Sequence, residues 1–131
     1  MKIEHLALHV ADPLAVAAWY CEHLALRVVR HLPQSGQTHF LADDDSTILE
    51  IYCNPSAQVP DYHSMEPLVL HLAFASHDPI SDSQRLISAG ASLVGDTHLA
   101  DGSHMIMLRD PWGLALQLCK RTTALLPGKA D

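Results

Sequence analysis

Two histidines, His5 and His71, occupy equivalent places in an internal repeat of this sequence. Residues 5–14 read HLALHVADPL, residues 71–80 read HLAFASHDPI, and the two segments align without a gap. A repeat of this kind in a small chain predicts two copies of one supersecondary unit. Because imidazole is a common ligand of divalent metal ions, a pair of equivalent histidines suggests a metal site.

Each half also carries one polar residue in a later apolar segment. ILEIY contains Glu50 and LALQL contains Gln117 at the equivalent position. If a pseudo-twofold axis relates the two copies, His5, Glu50, His71 and Gln117 meet near that axis. Two imidazoles and a carboxylate suit Zn, Ni, Co, Mn or Fe, and affinity order alone does not choose among these metals. An amide oxygen is a weaker, neutral donor, so Gln117 either binds the ion or hydrogen-bonds a metal-bound water.

Both halves show the same order of strand and helix signals. Residues 2–10 and 68–76 alternate between two faces, and a period of two is typical of a strand. An aspartate followed by proline comes next, with Asp12 in the first half and Asp78 in the second, which is a common start of a helix. Three further strands follow each helix, so each half predicts a β-α-β-β-β module. The further predicted segments are helices over about 13–24 and 79–89 and strands over 26–32, 38–42, 47–53, 92–96, 103–109 and 114–120.

Strand alternation indicates which face each candidate residue shares. The histidines lie with small alanines, which leaves room beside the imidazoles. Glu50 and Gln117 lie opposite aliphatic faces that should pack against the helices, so the polar residues should point to the other side of the sheet. The first helix is expected to bury Leu14, Ala17, Ala18 and Tyr20.

The size of the chain predicts a single domain over residues 1–131. Module one covers about 1–53 and module two about 68–120. A linker with three prolines, 54–67, joins them, and a tail without clear pattern, 121–131, follows.

Composition excludes several classes of function. A chain that is 48% hydrophobic is expected to be globular, and a net charge of −7 without a basic run argues against a nucleic-acid partner. The sequence begins without signal-peptide features and has no apolar stretch of membrane-spanning length. Cys21, Cys53 and Cys119 form no CxxC pair, which predicts reduced thiols in a cytoplasmic protein.

The sequence resembles the vicinal oxygen chelate superfamily, which includes glyoxalase I, extradiol dioxygenases, methylmalonyl-CoA epimerase and bleomycin-resistance proteins. The stretches that carry the resemblance are IEHLALHVADP, AWYCEHLALRVV, LEIY, LHLAFASHDP and LRDPWGLALQL. The resemblance implies an α+β fold in which two β-α-β-β-β modules form a cup-shaped, eight-stranded mixed sheet with helices on the outer face. It also implies a divalent metal with open positions for two oxygens of a small-molecule substrate.

Carried over residue by residue, the resemblance assigns metal-ligand roles to His5, Glu50, His71 and Gln117. Bacterial glyoxalase I would have a second glutamate where this chain has Gln117. The epimerase uses two histidines, one glutamine and one glutamate, with the glutamine in the first module. This chain is similar to that set with the two halves exchanged. Because glutamine accepts no proton in the working pH range, Glu50 is the candidate catalytic base.

The resemblance to glyoxalase I also names two candidate substrate-binding residues. Asn54 matches the asparagine that binds glutathione there, four residues beyond the first glutamate. His9 replaces the corresponding arginine and lies on the same strand face as His5. One match and one mismatch leave glutathione open as a substrate.

Three functions remain open from the sequence. The first is a metal-dependent lyase or isomerase similar to glyoxalase I, with metal-assisted proton transfer. The second is an Fe(II) enzyme similar to extradiol dioxygenases, and the third is a metal-free binding protein of the bleomycin-resistance type. The resemblance further implies a homodimer. Arg109 is expected to form a structural ion pair, and most of the seven other histidines are expected at the surface.

Overall fold

The computed structural model describes residues 1–126, which form two compact units, Met1–Pro60 and a second that begins at Asp61. Each unit holds one four-stranded mixed sheet and one helix. The predicted α+β class and the β-α-β-β-β order of both modules are confirmed. Residues 127–131, the end of the predicted tail, lie outside the described residues.

The first unit contains one parallel and two antiparallel strand pairs. Its elements are β1 (Leu6–His9), α1 (Pro13–His23), β2 (Arg27–Leu32), β3 (Thr38–Ala42) and β4 (Ile48–Tyr52). The strand order in the sheet is β1-β4-β3-β2, and the β1–β4 pair is the parallel one.

The second unit repeats this topology. Its elements are β5 (His71–Ala75), α2 (Pro79–Ser88), β6 (Ser92–His98), β7 (His104–Arg109) and β8 (Ala115–Lys120). The strand order is β5-β8-β7-β6, with β5 parallel to β8.

Both helices begin where the sequence predicts, because an aspartate caps each one. Asp12 Oδ1 accepts a hydrogen bond from the Ala15 N–H at 3.0 Å, and Asp78 Oδ1 accepts one from the Ser81 N–H at 3.1 Å. These bonds satisfy backbone donors that the first helical turn leaves free. Neither helix in the described part of the chain has the length and apolar character needed to span a bilayer.

The first strand of each unit is shorter than predicted because its neighbour is short. β1 begins at Leu6, which pairs with Leu49 near the start of β4. β5 begins at His71, which pairs with Ala115, the first residue of β8. Residues 2–4 and 68–70 extend beyond the start of the neighbouring strand, so no ladder continues along them.

The aliphatic faces of the inner strands are buried, as alternation predicts. Leu49 and Ile51 of β4 and Leu116 and Leu118 of β8 are all buried. None of the three cysteines forms a disulfide within residues 1–126, and Cys119 is the buried one.

The predicted burial of Leu14 and Ala18 in α1 is wrong. Leu14 is 52% exposed and Ala18 is also exposed. The buried stripe of α1 includes Pro13 and the residues three, four and seven positions after it. The neighbouring row of the helix, which contains Leu14 and Ala18, therefore faces water. The buried residues of α1 are Pro13, Val16, Ala17, Trp19 and Tyr20.

Candidate metal centre

His5 and Glu50 lie side by side in the first unit. Ala7 pairs with Glu50 across β1 and β4, and His5 lies two residues before Ala7, on the same face. Nε2 of His5 is 3.0 Å from Oε2 of Glu50. The two side chains are 33% and 22% exposed, so an ion or a small molecule can reach both.

The second ring nitrogen of His5 is held by an acidic neighbour. Nδ1 contacts the carboxylate of Glu4, and the ring meets Phe40 edge-on with centroids 5.7 Å apart. The hydrogen bond to Glu4 raises the pKa of His5 most, burial opposes that rise, and the charges of Glu4 and Glu50 add to it. A metal-bound histidine commonly gives its other N–H to a carboxylate or a carbonyl. His5 is therefore anchored at Nδ1 in the manner common to metal-bound histidines, with Nε2 directed at Glu50.

His71 and Gln117 occupy the equivalent places in the second unit. Ala73 pairs with Gln117 across β5 and β8, and His71 lies two residues before Ala73, so both polar side chains share one face. Nδ1 of His71 lies 3.1 Å from the carbonyl oxygen of Pro67, which is the same kind of anchor that Glu4 supplies in the first unit. The Gln117 amide oxygen accepts a hydrogen bond from Cys119 Sγ at 3.3 Å.

One member of each pair lines a cavity within its own unit. A cavity of about 320 Å³ in the first unit is lined by His5 and Arg30, among others. A cavity of about 430 Å³ in the second unit is lined by Gln117, Arg121 and mainly apolar side chains. His5 and Gln117 therefore border accessible space, and each shares its cavity with one arginine.

The donor set of these two pairs fits a divalent metal ion. His5 and His71 both offer an imidazole whose other nitrogen is anchored, Glu50 offers a carboxylate, and Gln117 offers an amide oxygen. Imidazole and carboxylate suit several divalent transition metals. The structure shows one pair in each unit, and the sharing of a single ion by all four side chains stays a prediction.

The two candidate substrate-binding residues contact each other. The Asn54 backbone N–H donates to Nε2 of His9 at 3.0 Å, and the His9 ring stacks on Tyr52 with centroids 5.2 Å apart. The Asn54 side-chain oxygen accepts a hydrogen bond from the Ser56 N–H at 3.0 Å, which closes a tight turn. These contacts give both residues a structural role, and their contact with substrate stays a prediction.

Arg109 does not form the expected ion pair within the described residues. Its guanidinium donates hydrogen bonds to three backbone carbonyls, those of Tyr62 at 2.7 Å, Met65 at 2.7 Å and Gly113 at 2.8 Å. Every residue has a backbone carbonyl, so residue types do not indicate which carbonyls a guanidinium contacts. The sequence therefore suggested only charged side chains as partners of Arg109.

Two histidines expected at the surface, His39 and His104, are 6% and 7% exposed. Each stacks on a histidine of the adjacent strand, His31 and His98 respectively. Nε2 of His104 is also 2.6 Å from Oδ1 of Asp96. Sequence reasoning missed these contacts because each pair lies on two strands. The similar offset of the histidines between the two modules was the signal that could have revealed them.

Comparison with known proteins places this chain in a family. The model of the Glyoxalase/Bleomycin resistance protein/Dioxygenase superfamily matches residues 2–118. A search of curated protein sequences gives no significant match.

Several solved structures have the same fold. SMU.1112c is 26% identical with a TM-score of 0.69, over 92% of this chain and 98% of that chain. Lactoylglutathione lyase from Agrobacterium tumefaciens is 21% identical with a TM-score of 0.65, over 90% and 92%. The fosfomycin resistance protein FosX from Listeria monocytogenes, complexed with Mn(II) and sulfate, is 14% identical with a TM-score of 0.69, over 89% and 87%. With both repeat modules inside the match to the family model, this chain belongs to the glyoxalase/bleomycin resistance protein/dioxygenase superfamily.

Proposed function

We propose that this protein is a metal-dependent lyase or isomerase similar to glyoxalase I. Its substrate would be a small molecule that chelates one divalent metal through two oxygens. The orientation of the two histidines carries the proposal. Nδ1 of His5 is held by Glu4 and Nδ1 of His71 by the carbonyl of Pro67, so Nε2 is the nitrogen that each ring would offer to an ion. Nε2 of His5 lies 3.0 Å from the carboxylate of Glu50, which would bind the same ion.

His5, Glu50, His71 and Gln117 would hold the ion, which is Zn, Ni, Co, Mn or Fe. When bound, a divalent ion with one carboxylate ligand polarises a substrate oxygen and stabilises negative charge on it. The Mn(II) in the FosX structure supports a divalent ion in this fold.

Glu50 is the catalytic base in this proposal. Its carboxylate is partly exposed and 3.0 Å from His5, so it can meet a substrate at the same place as the ion. Glu50 would take a proton from the carbon next to a chelated oxygen and return it to the neighbouring carbon. Gln117 cannot take part in that transfer because its amide is not basic. It would instead bind the ion through its amide oxygen or hydrogen-bond a metal-bound water.

The arginines offer positions for an anionic group of the substrate, although a glutamate, Glu4 or Glu66, lines each of the same cavities. Arg30 lines the cavity beside His5, and Arg121 lines the cavity that includes Gln117. A guanidinium matches the geometry of a carboxylate or phosphate. Small 2-oxo and 2-hydroxy acids therefore fit the site, and glutathione conjugates are included because Asn54 is present. A cytoplasmic homodimer belongs to the same proposal through family likeness.

Metal content is the first test. The site formed by His5, Glu50, His71 and Gln117 is called the family site. After treatment with a weak chelator, mass spectrometry on untagged wild type should give about one metal ion per chain at this site. The double variant H5A/H71A should lose that ion. Absence of metal after reconstitution with each candidate ion would leave a metal-free binding protein of the bleomycin-resistance type. Oxygen uptake by the Fe(II) form would favour the dioxygenase-like function.

The second test follows proton transfer directly. In D₂O, the metal-loaded protein should exchange the carbon-bound proton next to the carbonyl in one member of a panel of 2-oxo and 2-hydroxy acids, detected by proton NMR. E50Q should slow this exchange by roughly 10²–10⁴, the usual contribution of a general base. E22Q is the control, because Glu22 is 75% exposed on α1. Equal exchange rates in E50Q and wild type would remove Glu50 from the proposed role.

A further inference from the structure

A second group of potential metal ligands lies at one end of the β6–β7 hairpin. His98 and His104 are directly opposite each other on the two strands, and Asp96 lies two residues before His98 on the same face. The two imidazoles stack with centroids 3.9 Å apart and planes 16° apart. Oδ1 of Asp96 is 2.6 Å from Nε2 of His104. One ligand atom from each residue lies within 4.8 Å of the other two.

This group is separate from the residues assigned to the family site. Thr97, Met105 and Gln117 line the cavity of the second unit. Thr97 alternates with Asp96 and His98 along β6, so it projects from the opposite face of the sheet. The three hairpin residues therefore cannot be an extension of the Gln117 site.

The chemistry of the group suits a zinc-class ion. Two imidazole nitrogens and one carboxylate oxygen make a three-ligand set that leaves a fourth position for water. Tetrahedral zinc with bonds of about 2.0–2.1 Å places its ligand atoms about 3.3 Å apart. His104 is buried and fixed, whereas Asp96 and His98 are exposed and can turn toward the ion.

The first unit contains a similar stacked histidine pair without a carboxylate. His31 and His39 are opposite each other on β2 and β3, and their rings stack with centroids 4.1 Å apart. By strand register, His31 holds the place that Asp96 has in the second unit, one residue after the residue whose β3 or β7 partner pairs with Glu50 or Gln117. Gln37 forms a hydrogen bond with each ring. Its side-chain oxygen lies 3.0 Å from His31 Nε2, and its backbone carbonyl oxygen lies 2.6 Å from His39 Nδ1. The stacked pair alone is thus a feature of both modules, and the carboxylate distinguishes the second.

We propose that Asp96, His98 and His104 bind a divalent transition-metal ion of the zinc class and fasten β6 to β7 at the turn end of the hairpin, next to the 99–103 connection. This site is independent of the proposed catalytic function. An ion that binds the folded state only would stabilise the second unit by mass action.

The test uses a full-length H5A/H71A background, which removes the family site. Zn²⁺ titration by calorimetry should show about one equivalent bound, and Co²⁺ should give the visible absorption of a nitrogen-rich site. D96N and H98A should each weaken Zn²⁺ binding at least tenfold, since even loss of a residue that only supports a ligand costs roughly 10–100-fold. Both substituted residues are exposed, so circular dichroism and the metal-free melting temperature should stay close to those of the background.

H31A is the matched control, because it breaks the stacked pair in the first unit. Zn²⁺ affinity should be unchanged in that variant. The proposal is overturned if the background binds no Zn²⁺, if D96N and H98A bind as tightly as the background, or if H31A loses binding equally.

Discussion

Replacing Arg109 by methionine should destabilise the second unit because hydrogen bonds to backbone carbonyls are lost. The guanidinium donates to the carbonyls of Tyr62, Met65 and Gly113 at 2.7–2.8 Å. These bonds tie the segment before β5 to the turn between β7 and β8. Methionine keeps most of the aliphatic stem of arginine but donates no hydrogen bond.

The expected loss in the free energy of unfolding is about 3 kcal/mol. A hydrogen bond with one charged partner contributes roughly 1.5–3 kcal/mol, so three at the low end would give about 4.5 kcal/mol. Arg109 is only half-buried, and water can replace part of what the carbonyls lose. We therefore place the expected value below that sum.

Urea unfolding in a W19F background measures this loss, because Trp112 then reports on the second unit alone. R85M is the control: Arg85 forms an exposed pair with Asp82 on α2 at 3.0 Å, and such helix pairs contribute about 0.3–0.5 kcal/mol. If R109M loses less than about 1 kcal/mol, or no more than R85M, the three carbonyl contacts do not hold the turn.

Two further predictions concern a turn and an acid-sensitive contact. G36A should lower the free energy of unfolding, measured by thermal unfolding, by at least about 2 kcal/mol, because Gly36 has φ +59° and an added Cβ would lie 2.1 Å from the Cys53 carbonyl oxygen. G95A is the control and should change stability little, because an added Cβ there meets nothing within 4 Å. Equal losses in the two variants would contradict the steric argument. At Asp82, burial raises the pKa of the carboxyl, but hydrogen bonds from Ser76 and Arg85 outweigh it and hold the pKa below 3.8. The stability this carboxylate contributes is therefore present above pH 3.8 and lost as pH falls through the folded-state pKa. Urea midpoints of wild type and D82N should differ at pH 7 and converge at the acid end, and a constant difference would refute the linkage.

The sequence predicted those parts of the fold that depend on local chemistry. Asp12 and Asp78 cap the helices through a neighbouring N–H, which residue type and spacing are enough to indicate. The buried faces of β4 and β8 follow from alternation. Strand starts depend on the length of a partner that is distant in sequence, so β1 and β5 were predicted too long. The row of α1 that is buried was misassigned at Leu14, because several apolar rows compete on a helix rich in apolar residues.

The candidate site was predictable to the level of the shared face. The repeat and the alternation identify His5 and Glu50 as neighbours, and the structure places them 3.0 Å apart. The anchors of the two histidines were not predictable, because one is a flexible neighbouring side chain and the other, at Pro67, is a backbone carbonyl. The stacked histidine pairs depend on strand register, and register follows from turn geometry that the residue pattern leaves open.

A duplicated fold makes its asymmetries informative, because equivalent positions start from equivalent surroundings. The first-strand histidines are equivalent, and both modules also have a stacked histidine pair near the turn between their second and third strands, although the two pairs lie at different register positions. The carboxylates are not equivalent. In the fourth strands Gln117 takes the place of Glu50, and by register His31 takes the place of Asp96. Each kind of histidine site therefore receives its carboxylate from one module only, the first at the proposed catalytic centre and the second at the hairpin. Since a carboxylate supplies both negative charge and basicity to a metal site, the two proposed ion sites and the proposed proton transfer depend on Glu50 and Asp96.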